Sequence, residues 1–281
     1  MCFTVLAWKR HKDFPLLLGF NRDEFLKLEA SPAAAWEEGR FFAGKHLPNS
    51  SNPGTWMGLS QDGRFAALTN VRDFRAYEQG KQSRGDIVRD YLRGDHSPQD
   101  YLKLLSSKGA SFNPFNLLVG SRSEVHFFTN HPRSSQTEIK PGIHGFSNGK
   151  LNEAWPKVER GKAILRNLLE QSPSKWTQDM LALLADTHQP SDRELPDTHV
   201  GIGLERLCAP IFMQQEDIRE VLGIAYGKKL PEGVDHTYGT RTSTVLMMGA
   251  EGKVQLTEVT FFQNKMIGRV DHEINIPISQ S

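Results

Sequence analysis

The chain has 281 residues, of which 38% are hydrophobic and 24% are charged, enough for a sizeable core and unlike a disordered protein. The formal net charge is +1 and the basic residues are dispersed, which argues against a nucleic-acid partner. No apolar run approaches the roughly 20 residues that a membrane span needs, so stable membrane insertion is not expected.

The first part of the chain predicts β-hairpins. Apolar, β-forming runs at Cys2–Trp8 and Phe14–Phe20 flank a charged turn, and the polar cluster NRDE follows the second run. Residues 30–55 are rich in Ala, Pro, Ser, Asn and Gly and predict a loop with one short strand at Arg40–Ala43. Thr55–Ser60 and Arg64–Asn70 flank the turn QDG and predict another hairpin.

Helices and hairpins then alternate in groups. Predicted helices run from Ser83 to Arg93, from Ser97 to Ser107, over Glu153–Glu170 and over Thr177–Ala185. Predicted strands are Phe115–Gly120, Val125–Thr129, Ile139–Phe146, Ser243–Gly249 and Lys253–Phe262, with irregular chain at 186–240 and a strand or tail at 270–281. This order is not the regular β-α alternation of a parallel sheet, so it favours an α+β fold with antiparallel sheets. Nothing marks a linker, which predicts a single domain over 1–281.

Two cysteines, Cys2 and Cys208, are too few for a disulfide framework, although a bridge between them is not excluded by the sequence. No Cys/His metal spacing, P-loop or GxGxxG motif is present, so neither a metal site nor a required cofactor is predicted. The N-terminus lacks the features of a signal peptide. These observations predict a cytoplasmic protein.

Cys2 is a candidate nucleophile because it follows the initiator Met. Methionine aminopeptidase removes Met1 when the second residue is small, and removal would leave a thiol and a free α-amine on one residue. That amine has an ordinary pKa of about 7.7–8.0 and can serve as the base for its own thiol. Taken alone, a Cys here is more often a small buried residue of a first strand.

Polar residues at two strand ends are the next candidates. In Asn21–Glu24, Asp23 could accept a hydrogen bond from the Cys2 ammonium, and Arg22 could lower the thiol pKa. Asn70, at the end of a predicted strand, has the chemistry to stabilise an oxyanion. The structural alternatives are a solvated turn with an Arg–Asp pair, and an Asn that bonds its own backbone.

A competing motif is GFSNG at Gly145–Gly149, which matches the G-x-S-x-G turn of serine esterases with Ser147 as nucleophile. Its candidate partners are His199 with Asp197, and His236 with Asp235. The esterase fold requires parallel strands before this turn, and the preceding chain predicts hairpins. The serine esterase is therefore the weaker interpretation.

Seven segments together resemble the NRDE family, also called the transport and Golgi organisation 2 family. In chain order, these are MCF, GFNRDEF, GTWMGLSQDGRFAALTNVRD, SRGDIV, FNLLVG, PGIHGFSNGKLNEAWPKV and YGTRTSTVL. The family is similar in turn to cysteine N-terminal-nucleophile hydrolases such as penicillin V acylase. The resemblance implies a four-layer α/β/β/α sandwich.

The resemblance also implies site residues. Cys2 corresponds to the nucleophile, Asp23 to the acid that holds the α-amine, Asn70 to the oxyanion residue and Asn148 to the second Asn, which binds amine or substrate. Arg241 lies near the position of a late Arg and is assigned to substrate binding.

One departure concerns the Arg that those hydrolases place three residues before the Asp. That position is Phe20 here, so Arg22 would have to substitute, and we assign it to substrate binding.

Two functions follow from the resemblance. One is hydrolysis of an amide or thioester of a small-molecule substrate by Cys2. The other is non-enzymatic binding and trafficking of haem, acyl-CoA or lipid in the same cleft. The sequence leaves the substrate and the oligomeric state open.

Overall fold

Two β-sheets lie at the centre of the molecule in a computed structural model that describes residues 2–36, 39–47, 51–227, 230–231 and 233–277. The strands of this part of the chain are β1 Phe3–Trp8, β2 Leu16–Phe25, β3 Ala30–Trp36, β4 Phe41–His46, β5 Met57–Ser60, β6 Phe65–Asn70, β7 Phe115–Gly120, β8 Val125–Thr129, β9 Ser135–Glu138, β10 Gly142–Phe146, β11 Glu216–Asp217, β12 Thr237–Met248, β13 Lys253–Phe262 and β14 Lys265–Asn275. The helices are α1 Arg84–Arg93, α2 Pro98–Lys108, α3 Pro156–Leu168, α4 Trp176–Leu184, α5 Ile202–Leu207 and α6 Arg219–Tyr226.

The first sheet brings the two ends of the chain together. Its strand order is β10-β1-β2-β12-β13-β14, with β11 paired to β12, and every pairing is antiparallel. Side chains alternate between its faces. Leu6 and Trp8 of β1 pack towards the second sheet, whereas Phe3 and Val5 pack against helices.

The second sheet runs β3-β4-β5-β6-β7-β8-β9, again antiparallel, so its strands follow chain order. Phe65 and Ala67 of β6 face the first sheet, and Ala66 and Leu68 face the opposite way. The sheet therefore buries both of its faces, which explains the long apolar runs of β6 and β7.

A helical layer covers the outer face of each sheet. Helices α3 and α4 bury Val158, Leu165, Trp176 and Met180 against the first sheet. Helices α1 and α2 pack on the second sheet, with Tyr91 among the fully buried side chains. The predicted α+β fold, a four-layer α/β/β/α sandwich with antiparallel sheets, is confirmed.

Two predictions about the N-terminal region were wrong. Asn21–Glu24 are not a cluster beyond the strand but belong to β2, because the long strand β12 pairs with them. Ala30–Trp36, predicted as loop, forms β3, since its backbone hydrogen-bonds to β4 and its small side chains tolerate exposure.

The stretch 186–240 is less irregular than predicted. It contains α5 and α6, which bury Leu204 and Leu222 in a separate apolar cluster with Tyr238. Strand β10 begins only at Gly142, later than predicted, and β14 covers the first half of the strand or tail predicted at 270–281. Residues 278–281 lie outside the described part of the chain. The single-domain assignment stays a prediction.

The helices are short compared with a lipid bilayer. Within the described ranges, none combines the length and the apolarity needed to cross a membrane.

Candidate active site

Cys2 lies directly before β1, at the open end of the β1–β2 hairpin. Because Phe3 pairs with Asn21 across the hairpin, Cys2 lies beside Arg22. The thiol faces the space between the two sheets and is 7% exposed. It lines a cavity of about 270 Å³ together with Asn70 from the second sheet, which we call the nucleophile cavity.

The surroundings of Cys2 have opposing effects on its thiol. Burial raises the pKa of the Cys2 thiol, and the charge of Asp23 raises it further. The backbone N–H of Asp23, which donates a hydrogen bond to the thiol, and the positive charge of Arg22 both lower it. Since burial is the largest effect, the thiol needs a base close to it in order to react at neutral pH.

Asp23 also lines the nucleophile cavity. It is 3% exposed, and its Oδ1 accepts a hydrogen bond from Thr240 Oγ1 at 2.7 Å. Burial raises the pKa of the Asp23 carboxyl, and the charge of Lys157 lowers it.

Lys157 of α3 is a site residue that the sequence analysis missed. It is 3% exposed, and its Nζ makes no hydrogen bond to any other residue in the described ranges. Burial lowers the pKa of this ammonium, and the charge of Asp23 raises it. A Lys on an amphipathic helix normally predicts solvent contact, so no sequence signal identified it.

Asn70 and Asn148 are joined directly although 78 positions separate them. The side-chain Nδ2 of Asn148 donates to the backbone carbonyl of Asn70 at 2.8 Å, and Arg72 N donates to the Asn148 carbonyl at 2.8 Å. The side-chain amide of Asn70 itself makes no hydrogen bond within the part of the chain described, and Asn70 lines the nucleophile cavity. That amide is therefore available to a bound carbonyl oxygen.

Ser147 contacts the backbone of Cys2, the candidate nucleophile. Its Oγ donates to the backbone carbonyl of Cys2 at 2.7 Å and lies 3.0 Å from Asn148 Oδ1. The residue is 1% exposed, and neither His199 nor His236 contacts it in the described structure. The G-x-S-x-G match does not form an esterase site.

Arg22 spans the gap between the sheets. Its guanidinium lies 4.3 Å from the ring centre of Trp56, and its Nη2 lies 3.0 Å from His46 Nδ1 and 3.6 Å from a Glu24 oxygen. Burial and the charge of Arg22 lower the pKa of His46, so the imidazole is neutral and its Nδ1 accepts. The buried Nη1 of Arg22 has no partner among the described residues.

Arg241 lies at a register shift between β12 and β2. Its Nη1 donates to the carbonyls of Phe25, Leu26 and Leu28 at 3.1, 3.0 and 3.4 Å. Arg241 lines neither the nucleophile cavity nor the one adjoining it. These contacts hold the turn after β2, and the structure does not bring Arg241 to Cys2.

A second cavity, of about 410 Å³, adjoins the first, and we call it the apolar cavity. The two share the wall residues Glu24, His46, Asn70, Tyr77 and Arg84. The other walls of the apolar cavity include Phe25, Leu28, Phe74, Leu204, Leu222 and Tyr238, together with the charged residues Arg72 and Asp73. The cleft therefore has a polar end, which contains Cys2, and an apolar end beneath α5 and α6.

The family described as Transport and Golgi organisation 2 matches residues 1–263. The chain belongs to that family. The Transport and Golgi organization protein 2 homolog of Bos taurus is 29% identical over 251 residues, covering 87% of this chain and 86% of its own. The homolog of Homo sapiens is 28% identical with the same coverage, and the Drosophila melanogaster protein is 26% identical over 266 residues, covering 88% of this chain and 86% of its own.

Two solved structures of hydrolases are also similar to this member of the family. The Caenorhabditis elegans ortholog of N-acylethanolamine-hydrolyzing acid amidase is 12% identical, with a TM-score of 0.48 over 66% of this chain and 86% of its own. A mutant of the conjugated bile acid hydrolase of Clostridium perfringens is 10% identical, with a TM-score of 0.42 over 96% of this chain and 92% of its own.

The structure brings four of the six residues predicted from the family resemblance into one connected group. Cys2, Asp23, Asn70 and Asn148 are linked through hydrogen bonds of Asp23 N, Ser147 Oγ and Asn148 Nδ2. Arg22 lines the same cavity, and Arg241 lies apart.

Proposed function

We propose that the chain hydrolyses an amide or thioester with Cys2 as the nucleophile. The observation that carries this proposal is that the Cys2 thiol and the unengaged amide of Asn70 line the same cavity from opposite sheets. A nucleophile and an oxyanion donor on two rigid elements are what acyl transfer needs.

The mechanism begins once Met1 has been removed. The free α-amine of Cys2 takes the thiol proton, and Sγ attacks the substrate carbonyl carbon. The oxygen becomes negative and is held by the amide of Asn70. The C–N or C–S bond breaks as the ammonium returns the proton to the leaving group. Water, activated by the amine, then attacks the thioester on Cys2, releases the acid and restores the thiol.

The surrounding polar residues position these groups. Ser147 holds the Cys2 carbonyl, and Asn148 holds the Asn70 carbonyl, so the nucleophile and the oxyanion donor are fixed to one rigid loop. Asp23, close to Lys157, supplies negative charge beside the new ammonium. This arrangement favours the protonated amine during attack and so assists removal of the thiol proton.

The test begins with the intact mass of the purified protein, which shows whether Met1 is absent. The processed protein is then assayed on N-acyl amides and acyl thioesters beside Cys2→Ala and Cys208→Ala. Cys208 is the other buried free thiol, so its variant controls for the loss of a cysteine. We expect turnover in the wild type and in Cys208→Ala, and none in Cys2→Ala. Turnover that survives Cys2→Ala contradicts the proposal.

A second candidate function rests on the apolar cavity, whose walls suit an amphipathic ligand without requiring chemistry. In that case the chain binds haem, acyl-CoA or a lipid and releases it unchanged. His46 lines this cavity and supplies an imidazole for haem, although no group of three or more metal-ligating residues occurs in the described ranges. Saturable one-to-one binding, with raised thermal stability and no product, supports this function over hydrolysis.

The cytoplasmic location stays a prediction.

A further inference from the structure

The segment Ser83–Asp86, with sequence SRGD, has no role in the mechanism above, although it reaches the nucleophile cavity. Ser83, Arg84 and Gly85 line that cavity at the start of α1, a helix of ten residues. The side chain of Ser83 makes no capping hydrogen bond to the first turn. The first N–H groups of a helix have no intrahelical partner and attract negative charge.

The first turn of α1 is held tightly in this position. Gly85 packs against Gly54 so closely that a Cβ on Gly85 would lie 3.0 Å from Gly54 Cα. Thr55 N also donates to the Gly85 carbonyl at 3.1 Å. A side chain at position 85 would force the two segments apart by a few tenths of an ångström. The contact places the helix end beside the cavity wall formed by Thr55 and Trp56.

Arg22, which lines the same cavity, supplies an independent observation. The residue is 4% exposed, and its Nη1 has no hydrogen-bond partner among the described residues. A buried guanidinium nitrogen without an acceptor is costly, and a ligand oxygen would relieve that cost. Its Nη2 is already engaged by His46 and Glu24.

Arg84 adds a second guanidinium to this region. Its Nη1 donates to the Pro114 carbonyl at 3.0 Å, which orients the side chain across the cavity wall. The carboxylates that line the cavity are Asp23, which is bonded to Thr240, and Glu24, which lies beside Arg22. Neither forms an ion pair with Arg84 in the described structure, although the charge of Glu24 acts on it. Asp86, the acidic residue in the first turn of α1, pairs with Arg89 at 2.8 Å.

We propose that the first turn of α1, together with Arg84 and Arg22, binds a carboxylate or phosphate on the leaving group of the substrate. The acyl chain then lies in the apolar cavity. The scissile carbonyl lies at Cys2 and Asn70, between the acyl chain and the anion. This inference rests on the proposed function and names its substrate class: an N-acyl or S-acyl compound with a small anionic leaving group. Hydrolysis consumes one water and releases the fatty acid and the anionic amine or thiol.

The test compares three amides that share one acyl chain and differ in the charge of the leaving group. N-dodecanoylglycine carries a carboxylate, N-dodecanoylphosphoethanolamine carries a phosphate and N-dodecanoylglycinamide is neutral. We expect kcat/KM to be about 10- to 100-fold higher for at least one anionic amide than for the neutral one, as charged hydrogen bonds imply. The better anionic substrate identifies the anion. Equal cleavage of all three overturns the inference and leaves the hydrolase intact.

Variants of α1 show whether the N-terminal end of this helix causes the preference for anionic over neutral amides. Arg84→Met is expected to remove most of the preference for anionic substrates, measured as the ratio of kcat/KM on the anionic and the neutral amide. Arg84→Lys restores part of it. Arg93→Met, at the exposed far end of the same helix, is the matched control and retains the preference. A preference that survives Arg84→Met overturns the inference.

Failure of the hydrolase itself is distinguished by binding. If the processed wild type cleaves none of the amides, calorimetric titration of Cys2→Ala with dodecanoylglycine and with dodecanoylglycinamide decides the matter. Tighter binding of the anionic compound that is lost in Cys2→Ala/Arg84→Met upholds the anion subsite without catalysis. Equal binding of the two compounds overturns it.

Discussion

The hydroxyl of Ser147 donates a hydrogen bond to the backbone carbonyl of Cys2 at 2.7 Å. This bond ties the residue before β1 to the loop after β10, 145 positions away in the chain. The serine of the G-x-S-x-G match thus holds the backbone of Cys2, because its proton is donated to Cys2 or to Asn148.

The role of Ser147 leads to the first prediction. Ser147→Ala leaves the buried Cys2 carbonyl without this donor and is expected to lower the free energy of unfolding by about 1–2 kcal/mol. A fluorophosphonate probe, which labels activated serines, should leave the wild-type protein unmodified. Labelling of Ser147 by that probe contradicts its role in positioning Cys2 and supports the esterase interpretation. Urea denaturation measures the free energy of unfolding, and intact mass measures labelling by the probe.

The second prediction concerns the pH at which the Cys2 thiol reacts. Burial raises its pKa, so the rate of alkylation by iodoacetamide should be half-maximal above the ordinary thiol value of about 8.5. Because the charge of Arg22 lowers this pKa, Arg22→Met should move the midpoint to still higher pH. The measurement uses a Cys208→Ala background, in which Cys2 is the one thiol. A midpoint that moves downward in Arg22→Met contradicts the assigned electrostatics.

The third prediction concerns the buried charges of Asp23 and Lys157. The pKa of Asp23 is raised by burial and lowered by Lys157, so Lys157→Met should raise it further. The ionised carboxylate then loses the stabilising charge of Lys157, and we expect destabilisation of about 3 kcal/mol near neutral pH. In acid the carboxyl of the variant takes up a proton at a higher pH than normal, so the loss should be smaller at about pH 5 than at about pH 7.5.

A double-mutant cycle checks the pairing of Asp23 with Lys157. The loss in Asp23→Asn/Lys157→Met should be smaller than the sum of the two single losses, since the second change removes the charge that the first leaves unpaired. Urea denaturation at both pH values measures each variant. Additive losses with no pH dependence would show that the two groups do not interact.

The fourth prediction concerns the close approach of α1 to the chain at Gly54. Gly85→Ala places a methyl group about 3.0 Å from Gly54 Cα and should destabilise the protein by about 1–3 kcal/mol, as overpacking does. Gly268→Ala is the matched control because a Cβ there meets no atom within 4 Å. Thermal denaturation of the two variants tests the contact, and equal melting temperatures would contradict it.

Sequence patterns predicted most elements because those depend on local apolar periodicity, whereas the four-layer arrangement was implied by the family resemblance. Helices α1 and α2 begin at the predicted caps Ser83 and Ser97, where turn chemistry is local. The extension of β2 through the NRDE residues was missed because its partner β12 lies more than two hundred positions away. A local polar run predicts a turn unless a distant strand pairs with it.

The residues assigned to the candidate site stay a prediction, and their contacts could not be derived from the sequence. Asn148 was expected near the amine or the substrate, and the structure places its amide on the backbone of Asn70 instead. Lys157 was assigned only to a helix, since the residues that flank it in sequence do not predict its burial. Contacts between residues far apart in sequence, such as the charge interaction of Lys157 with Asp23, arise only when α3 packs on the first sheet.

The last prediction separates the two asparagines. Asn70 offers its own amide to the cavity, so Asn70→Ala should lower kcat by about 10²–10³-fold while KM changes little. Asn148 acts through the Asn70 carbonyl, and Asn148→Ala should lower kcat by a smaller factor. In both variants Cys2 should still react with iodoacetamide, because the thiol and its amine are unchanged. A loss in Asn148→Ala larger than that in Asn70→Ala would place Asn148, rather than Asn70, at the oxyanion.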